Sequence, residues 1–551
     1  PVPVGAPALS RLAGLAFGNP PIIAVIIPVC DPEPAHLLEA IQSVTSQTYP
    51  HWHICIADDA STHPRILAIL EALSLRAMQD PRFRVARRSH RGGIVAASRD
   101  AIALTDAPWL AFLDHDDRLH EDALLEIAAA IRTQPEHTAF YTDSRMMDRN
   151  GVELHSYRKP SWAPETLLHL NYINHLSIFE RNTYEQLGGL RPGLDGSQDW
   201  DLWLRFSALP GATVGHIKLP LYDWRATETS IAYTPSSKPY AIQAACQSVR
   251  EHLTARGLTA VYTHADASGG GLRNQWHHQP EQLCAIVLTH HNPGDLRRLI
   301  EGLASSVYPR LEVILVANRV TESDTLEQLE QAALRPGWQV LVDDRSFNWA
   351  ALNNTATRYT SAPWLLFLND DIELPTPQTL QSLTRYLALD EQIGAVGARL
   401  EYGPEQGGGI QHDGVVTSIN NIHNVTDQRD GKGLGVPRNV SAVTGACLLT
   451  RRSAFVQSGG FDERFSVSFN DVDYCLHLRR LGWRVVQASD VVCIHRESRT
   501  RGPLDNALKQ QQLLSEITLM NSKWQGFLEE KYVLNYVHRF MGSRIVKIPD
   551  A

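Results

Sequence analysis

Two α/β domains in tandem, each built on a mostly parallel central sheet, are predicted by three features of this sequence. The first is an internal repeat. AVIIPVCDPEPAHLLEAI from Ala24 returns as AIVLTHHNPGDLRRLIEGL from Ala285, and APWLAFLDHDD ending at Asp117 returns as APWLLFLNDD ending at Asp371. The second is the alternation, within each copy, of short apolar runs with stretches of helical spacing, the pattern of strand–helix–strand units. The third is the place of the acids, at the ends of those apolar runs, where open α/β sheets gather their ligands. DWDLWLRF at Asp199 and DVDYCLHLRR at Asp471 complete the repeat. The offsets of 261 at Ala24/Ala285, 255 at Asp114/Asn369 and 272 at Asp199/Asp471 drift only by loop-sized amounts. Two homologous domains therefore fit better than a solenoid, whose period runs roughly 20 to 50 residues.

The elements follow in order. IIAVIIPV, an unbroken apolar run closed by Asp31-Pro32, reads as a strand buried on both faces. HLLEAIQSVTSQ has apolar residues at helical spacing, and Tyr49-Pro50 stops it. HWHICIADD is the next strand and ends in Asp58 and Asp59; WLAFL is a later one and runs into Asp114, His115, Asp116 and Asp117. SSKPYAIQAACQSVREHLTARG reads as one amphipathic helix closing the first copy, and DASGGGLRNQ as a glycine-rich connection. The expected organisation is a lead-in over 1–20, a first domain over 21–265, a linker over 266–282 and a second domain with a helical tail over 283–551.

Composition narrows the function. At 551 residues the chain exceeds one ordinary core, which supports the two-domain division. Sixty acidic against 51 basic residues give a net charge of -9, which argues against nucleic acid as the main partner, since phosphate binding needs a basic face. No apolar run approaches the roughly 20 residues of a membrane span. No signal-peptide pattern opens the chain, and a first residue other than Met points to a trimmed sequence. The seven cysteines form no CxxC pair and sit mostly inside apolar runs, which fits reduced thiols and a cytoplasmic setting.

Strand-end carboxylates spaced Asp-x-Asp suit a hard divalent cation, Mg2+ or Mn2+, shared with substrate phosphates. Such a cation neutralises a diphosphate and makes it a better leaving group. Taken alone, the cluster reads equally well as a solvated acidic turn. Its place after a buried strand, downstream of a second acid pair, favours function.

With RGGIVAASRDAI and GSQDWDLWLR in the first half, and IQHDGVV, SAVTGACLLTRR, GGFDERF and FNDVDYCLHLRRLGWRVV in the second, each half resembles the nucleotide-diphospho-sugar transferase (GT-A) domain of family 2 glycosyltransferases. The resemblance spans nearly all of residues 21–500, and the tandem arrangement is similar to transferases that build bacterial surface polysaccharides such as O-antigen and rhamnose-containing chains. It implies a bifunctional inverting glycosyltransferase. Its donors are nucleotide sugars, dTDP-rhamnose among them, and its acceptor is a growing glycan, free or lipid-linked. It further implies that Asp58 and Asp59 hold base and ribose, that Asp114 meets ribose and Asp116 the metal, and that Asp199 is the general base. In the second half Asn318, Asn369, Asp371 and Asp471 take the corresponding places. His495 fits the family's late metal-binding histidine, with Arg499 and Arg501 reaching the diphosphate; the first half offers Asp223 as its metal ligand instead. Asn171, His175 and Trp200 fall on the acceptor side.

Blander readings stand beside these. Asp199 and Asp471 also read as helix N-caps, and Asn171 and His175 as core residues. GGGIQHDG lacks the Lys-Ser/Thr of a phosphate loop and reads as a flexible hairpin near the site; His277 and His278 read as solvated. The tail KYVLNYVHRFMGSRIVK reads as packing on the second domain, with peripheral docking on the cytoplasmic face of the inner membrane as the alternative. A nucleotidyltransferase is disfavoured, because no Gly-rich, Lys-containing loop follows the first strand. Ala317, where the first half has Asp58, supports a rival reading of the second half as a non-catalytic glycan-binding module.

Overall fold

The structure, a computed structural model, describes residues 19–226, 239–265, 271–418, 421–424, 435–496 and 507–524, with residue 527. These divide into two compact units at Asn274/Gln275.

In the first unit β1 (Ile23–Val29) has all seven residues buried, as its unbroken apolar run requires. Helix α1 (Pro34–Thr45) begins on a proline, whose missing N–H is no loss in a first turn. Next come β2 (Trp52–Asp58), α2 (Pro64–Ala77), β3 (Phe83–Arg87), α3 (Gly93–Ala103), β4 (Trp109–Phe112), β5 (Arg118–Leu119) and α4 (Ala123–Thr133). They are followed by β6 (Ala139–Met147), β7 (Glu153–Tyr157), β8 (Ser177–Glu180), α5 (Gln198–Ser207), β9 (Val214–Arg225) and α6 (Pro239–Ala255). The sheet runs β3-β2-β1-β4-β8-β6-β9-β5, with β7 on β6. Strands β1 to β4 pair in parallel, β8 is antiparallel to both neighbours, and β6 and β9 are parallel again. Chain order reverses between β1 and β4, so the crevice at their carboxyl ends is the switch point where such sheets bind ligands.

The second unit repeats the plan. Its elements are β10 (Leu283–Thr289), α7 (Pro293–Ala304), β11 (Leu311–Asn318), α8 (Ser323–Ala333), β12 (Trp338–Asp343), α9 (Trp349–Ala356), β13 (Trp364–Asn369) and β14 (Ile372–Glu373). They continue with α10 (Thr379–Leu389), β15 (Ile393–Glu401), β16 (Ile410–His412), β17 (Cys447–Arg451), α11 (Asn470–Arg480), β18 (Arg484–His495) and α12 (Ala507–Trp524). The sheet order β12-β11-β10-β13-β17-β15-β18-β14 matches the first strand for strand, with β16 added on β15.

Two details differ from the sequence reading. Part of the expected linker is a strand, Leu272–His277, and the Leu272 N–H donates to the His169 carbonyl at 2.7 Å. His278 is not simply solvated: it is half-buried against Trp364, bonds the Thr384 hydroxyl at 3.2 Å, and burial lowers its pKa to about 4. The glycine run 266–270 and the tail from 528 lie outside the described residues. No helix among the described residues is long and apolar enough to cross a membrane.

Candidate active sites

In the first unit the residues after β4 form a tight turn. The Asp117 N–H donates to the Asp114 carbonyl at 3.2 Å, and His115 Nδ1 lies 3.0 Å from the Pro28 carbonyl, tethering the turn to β1. Asp117 is buried and accepts from the Tyr222 hydroxyl at 2.5 Å and the Arg225 N–H at 2.7 Å. Burial, with Asp116 and Asp114 adding repulsion, pushes its carboxyl well above the usual range. Asp117 thus closes the turn against β9. Asp116 remains half-buried, its carboxylate making no hydrogen bond or ion pair among the described residues.

Asp114, Asn174, His175, Gln198 and Asp199 line one cleft beside Pro28. Asp199 lies inside the first turn of α5, after Ser197, so it is not the cap residue. Asn171 Nδ2 donates to its Oδ2 at 3.1 Å. Burial raises the Asp199 pKa, opposed by His175 and by the Trp200 N–H, which makes it a stronger base than a solvated aspartate. His175 stacks on Tyr222 with ring centroids 4.9 Å apart, and its Nε2 is 3.9 Å from Asp114 Oδ2. Burial lowers its pKa to about 4, so it is a neutral imidazole at neutral pH. Buried Lys159 donates to the carbonyls of Ile173 and His175 and fixes this segment in place. Asn171 and His175, expected on the acceptor side, are therefore brought to Asp199. Trp200 is not: it is buried in the helix, its indole N–H donating to the Leu167 carbonyl at 2.6 Å.

Asp114, Asp117 and His175 present ligand atoms within 4.8 Å of one another and could hold a metal ion. Both Asp117 oxygens already accept hydrogen bonds, and Asp116, the acid expected to meet the metal, is not among the three clustered residues. Asp223 is corrected as a ligand. Its carboxylate is paired with Arg145 at 2.7 Å and Arg118 at 3.4 Å. Register gives the reason. Ile372 faces His495 across β14 and β18, whereas Arg118, one residue beyond the position equivalent to Ile372, faces Asp223 across β5 and β9. Trp224, not Asp223, therefore stands where His495 stands, and a one-residue slip along a strand turns a side chain to the other face.

Asp58 and Asp59 are also placed differently from the base-holding role expected of them. Both side chains are almost fully buried. Asp58 accepts from the Ser61 N–H at 3.2 Å. Asp59 accepts from the N–H groups of Gly92 and Gly93 at 2.8 and 2.9 Å and pairs with Arg88 at 3.1 Å, fixing the loop into α3. Gly93 has φ +86°, and a Cβ there would collide with Asp195, so this close turn requires glycine.

In the second unit register aligns Ala317 with Asp58 and Asn318 with Asp59. Asn318 holds the equivalent loop with reversed polarity, its Nδ2 donating to the carbonyls of Asp343 and Arg345 at 2.7 and 2.9 Å. The exchange of aspartate for asparagine follows a loop that presents carbonyls instead of amides. Asp371 Oδ1 lies 3.2 Å from His495 Nε2, and His495 Nδ1 is 2.5 Å from Gln411 Oε1. With Nδ1–H donated to Gln411, Nε2 turns its lone pair toward the carboxylate, and among the described residues no hydrogen-bond donor reaches buried Asp371 Oδ1. An imidazole nitrogen and an undonated carboxylate oxygen face to face fit a divalent cation between them. Asp370, between Asn369 and Asp371, is turned inward to accept from the Thr289 hydroxyl at 2.8 Å, and burial raises its pKa to about 7. Asp471 again lies in a first turn. Its Oδ2 accepts from the Gly445 N–H at 2.6 Å, and the next carbonyl, Ala446, accepts from the Asn369 N–H at 3.0 Å. Asp471 and the strand end are thus held by neighbouring residues of a shared backbone. Arg499 and Arg501 lie outside the described residues. The sequence reading missed Gln411 and Tyr222, because their roles arise from strands that meet only in the folded sheet.

Two GT-A-like domains with strand-end acids and a helix-borne aspartate define the class, and the chain belongs to glycosyltransferase family 2 in two tandem copies. Residues 24–187 match the family described as Glycosyl transferase family 2, and residues 280–512 match Glycosyltransferase like family 2. Among curated proteins the chain is 35% identical to the uncharacterized protein y4gI of Sinorhizobium fredii, over 92% of this chain and 56% of that protein. It is 36% identical to the O-antigen biosynthesis protein RfbC of Myxococcus xanthus, over 87% of this chain and 38% of that protein. The chain thus spans about half the length, or less, of these relatives. A solved structure, the mannosyltransferase PcManGT from Pyrobaculum calidifontis in complex with GDP-Man and Mn2+, is similar over 48% of this chain and 68% of that one, with 18% identity and a TM-score of 0.34.

Proposed function

We propose that both halves are inverting, metal-dependent glycosyltransferases that extend one bacterial surface glycan from nucleotide-sugar donors. The observation that carries this reading is the single cleft holding Asp114 of the strand end and Asp199 of the helix, the donor side and the base side of one displacement. Asp199 or Asp471 takes the proton of an acceptor hydroxyl as its oxygen bonds to the anomeric carbon. The glycosyl–phosphate bond breaks on the opposite face, and the nucleoside diphosphate leaves with the electron pair. A divalent cation, when bound, would neutralise that diphosphate; Asp116 in the first half, and Asp371 with His495 in the second, are the residues to hold it. The names of the relatives support the substrate class, since RfbC is an O-antigen biosynthesis protein. The reading keeps the chain at the cytoplasmic face of the membrane that carries a lipid-linked acceptor.

The test is to incubate the full chain with UDP-, GDP- and dTDP-sugars, dTDP-rhamnose included, and follow nucleoside diphosphate release and the linkage formed. Asp199→Asn and Asp471→Asn should each remove one linkage. Should Asp471→Asn leave linkage composition and chain length unchanged, the second half is a binding module.

A further inference from the structure

Helix α12 grips the element that carries Asp471 on both sides of that residue. Glu516, 2% exposed, turns its carboxylate into three consecutive backbone amides of the preceding turn. Its Oε1 accepts from the Ser466 N–H at 2.9 Å, the Ser466 hydroxyl at 3.0 Å and the Val467 N–H at 3.1 Å; its Oε2 accepts from the Ser468 N–H at 2.8 Å. The Ser466 carbonyl in turn accepts from the Trp349 N–H at 2.8 Å, anchoring the turn to α9. Beyond the base, Lys523 Nζ lies 2.8 Å from Asp473 Oδ1, and the Trp524 indole donates to the same carboxylate at 2.8 Å. Asp471 is held between these anchors, three residues after Ser468 and two before Asp473.

We propose that Glu516 is a positioning residue for the second transfer: its carboxylate sets the Ser466–Ser468 turn and thereby the place of Asp471. This rests on the reading of Asp471 as the base. Successive amides converging on one buried carboxylate form an anion nest, and a charged acceptor there is worth more than a neutral one. Gln at 516 keeps the length but replaces one acceptor oxygen with an N–H donor facing an N–H, so the turn loses its lock. Among the described residues of the first half no such carboxylate is seen. There Ser197 is held by its hydroxyl to the Ala241 carbonyl at 2.8 Å, and Asp201, the counterpart of Asp473, is paired with Arg191 and Arg205. Glu516 lies beyond residue 512, where the family match ends.

The test uses full-length chains carrying Asp199→Asn to silence the first half, with and without Glu516→Gln. Leu514→Ala, at an exposed position of the same helix, is the control. The readouts are nucleoside diphosphate release from UDP-, GDP- and dTDP-sugars, and amide hydrogen exchange. E516Q should lower kcat on the order of 10- to 100-fold with the donor KM within about twofold, the cost of misplacing a catalytic group. Exchange should rise at residues 466–468 and stay unchanged over 474–480. The proposal is overturned if kcat is unchanged, if exchange at 466–468 is unchanged, or if exchange rises across the whole unit and donor KM rises with it. Asp471→Asn, run alongside, separates the two readings. If D471N is silent, the base assignment fails and takes the proposal with it. If D471N abolishes release and E516Q does not, only the positioning role fails.

Discussion

The proposed role of Asp199 as a base rests on where it is buried. The first-half transfer needs its ionised form, and burial raises its pKa while the Asn171 amide and Trp200 N–H pull it down. The acidic limb of the pH–rate profile should therefore lie above the ordinary aspartate range. Asn171→Ala removes a donor to the anion, so the limb should move to higher pH; an unchanged limb would show that Asp199 is not the titrating base. The two candidate ligands of the first half separate in the same way. Asp116→Ala should abolish the response of the first transfer to added Mg2+ or Mn2+ and leave thermal unfolding nearly unchanged, since its carboxylate bonds to none of the described residues. Asp223→Ala should do the reverse. It takes from Arg145 its nearest partner and from Arg118 one of several, and should cost about 1–3 kcal/mol of stability, read by denaturant melt, while the metal titration stays as in the parent chain.

At the scale of elements, the two units solve one problem with opposite polarity. The second strand must hold the loop that follows the third, and it does so with a carboxylate facing amides in one unit and an amide facing carbonyls in the other. Asn318→Asp would set a carboxylate against two carbonyl oxygens. It should destabilise the second unit by about 1–3 kcal/mol, seen as a lower denaturant midpoint. The same change cannot be read as improving donor binding merely because it restores the first half's residue. Arg319, the next residue, is exposed and donates to the Asp344 carbonyl at 3.0 Å.

Across the whole molecule the asymmetry between halves differs from the one Ala317 suggested. The candidate metal sites are built differently: the second half sets Asp371 against His495, itself bonded to Gln411, and the first gathers Asp114, Asp117 and His175. Stepwise chelation should silence the first linkage at lower chelator concentration than the second, followed by linkage analysis of the product. A mixture of D199N and D471N chains should restore polymer that neither makes alone, because each supplies the transfer the other lacks. Failure of the mixture, with each single variant blocked at a different linkage, would mean that the growing glycan stays on one chain.

The repeat, the α/β class, the mostly parallel sheet implied by alternating elements and the acids at strand ends were all legible in the residues. Apolar runs, helical spacing and breakers act locally, and a buried strand must be apolar whatever surrounds it. The functional assignments resting on one residue's facing were not legible. Asp223 was misread because facing in a strand depends on register to the residue, and register is set by partners far away in sequence. Trp200 and Asp59 read as ligand-facing yet serve the scaffold, since hydrogen bonds to Leu167, Gly92 and Gly93 exist only once the chain has folded. Gln411 against His495, 84 residues apart, and Glu516 against Ser466, 50 residues apart, carry no local signal at all. Sequence alone determined what kind of protein this is and where its acids gather. Only the tertiary structure decided which of them face the cleft, because that choice is made by long-range pairing.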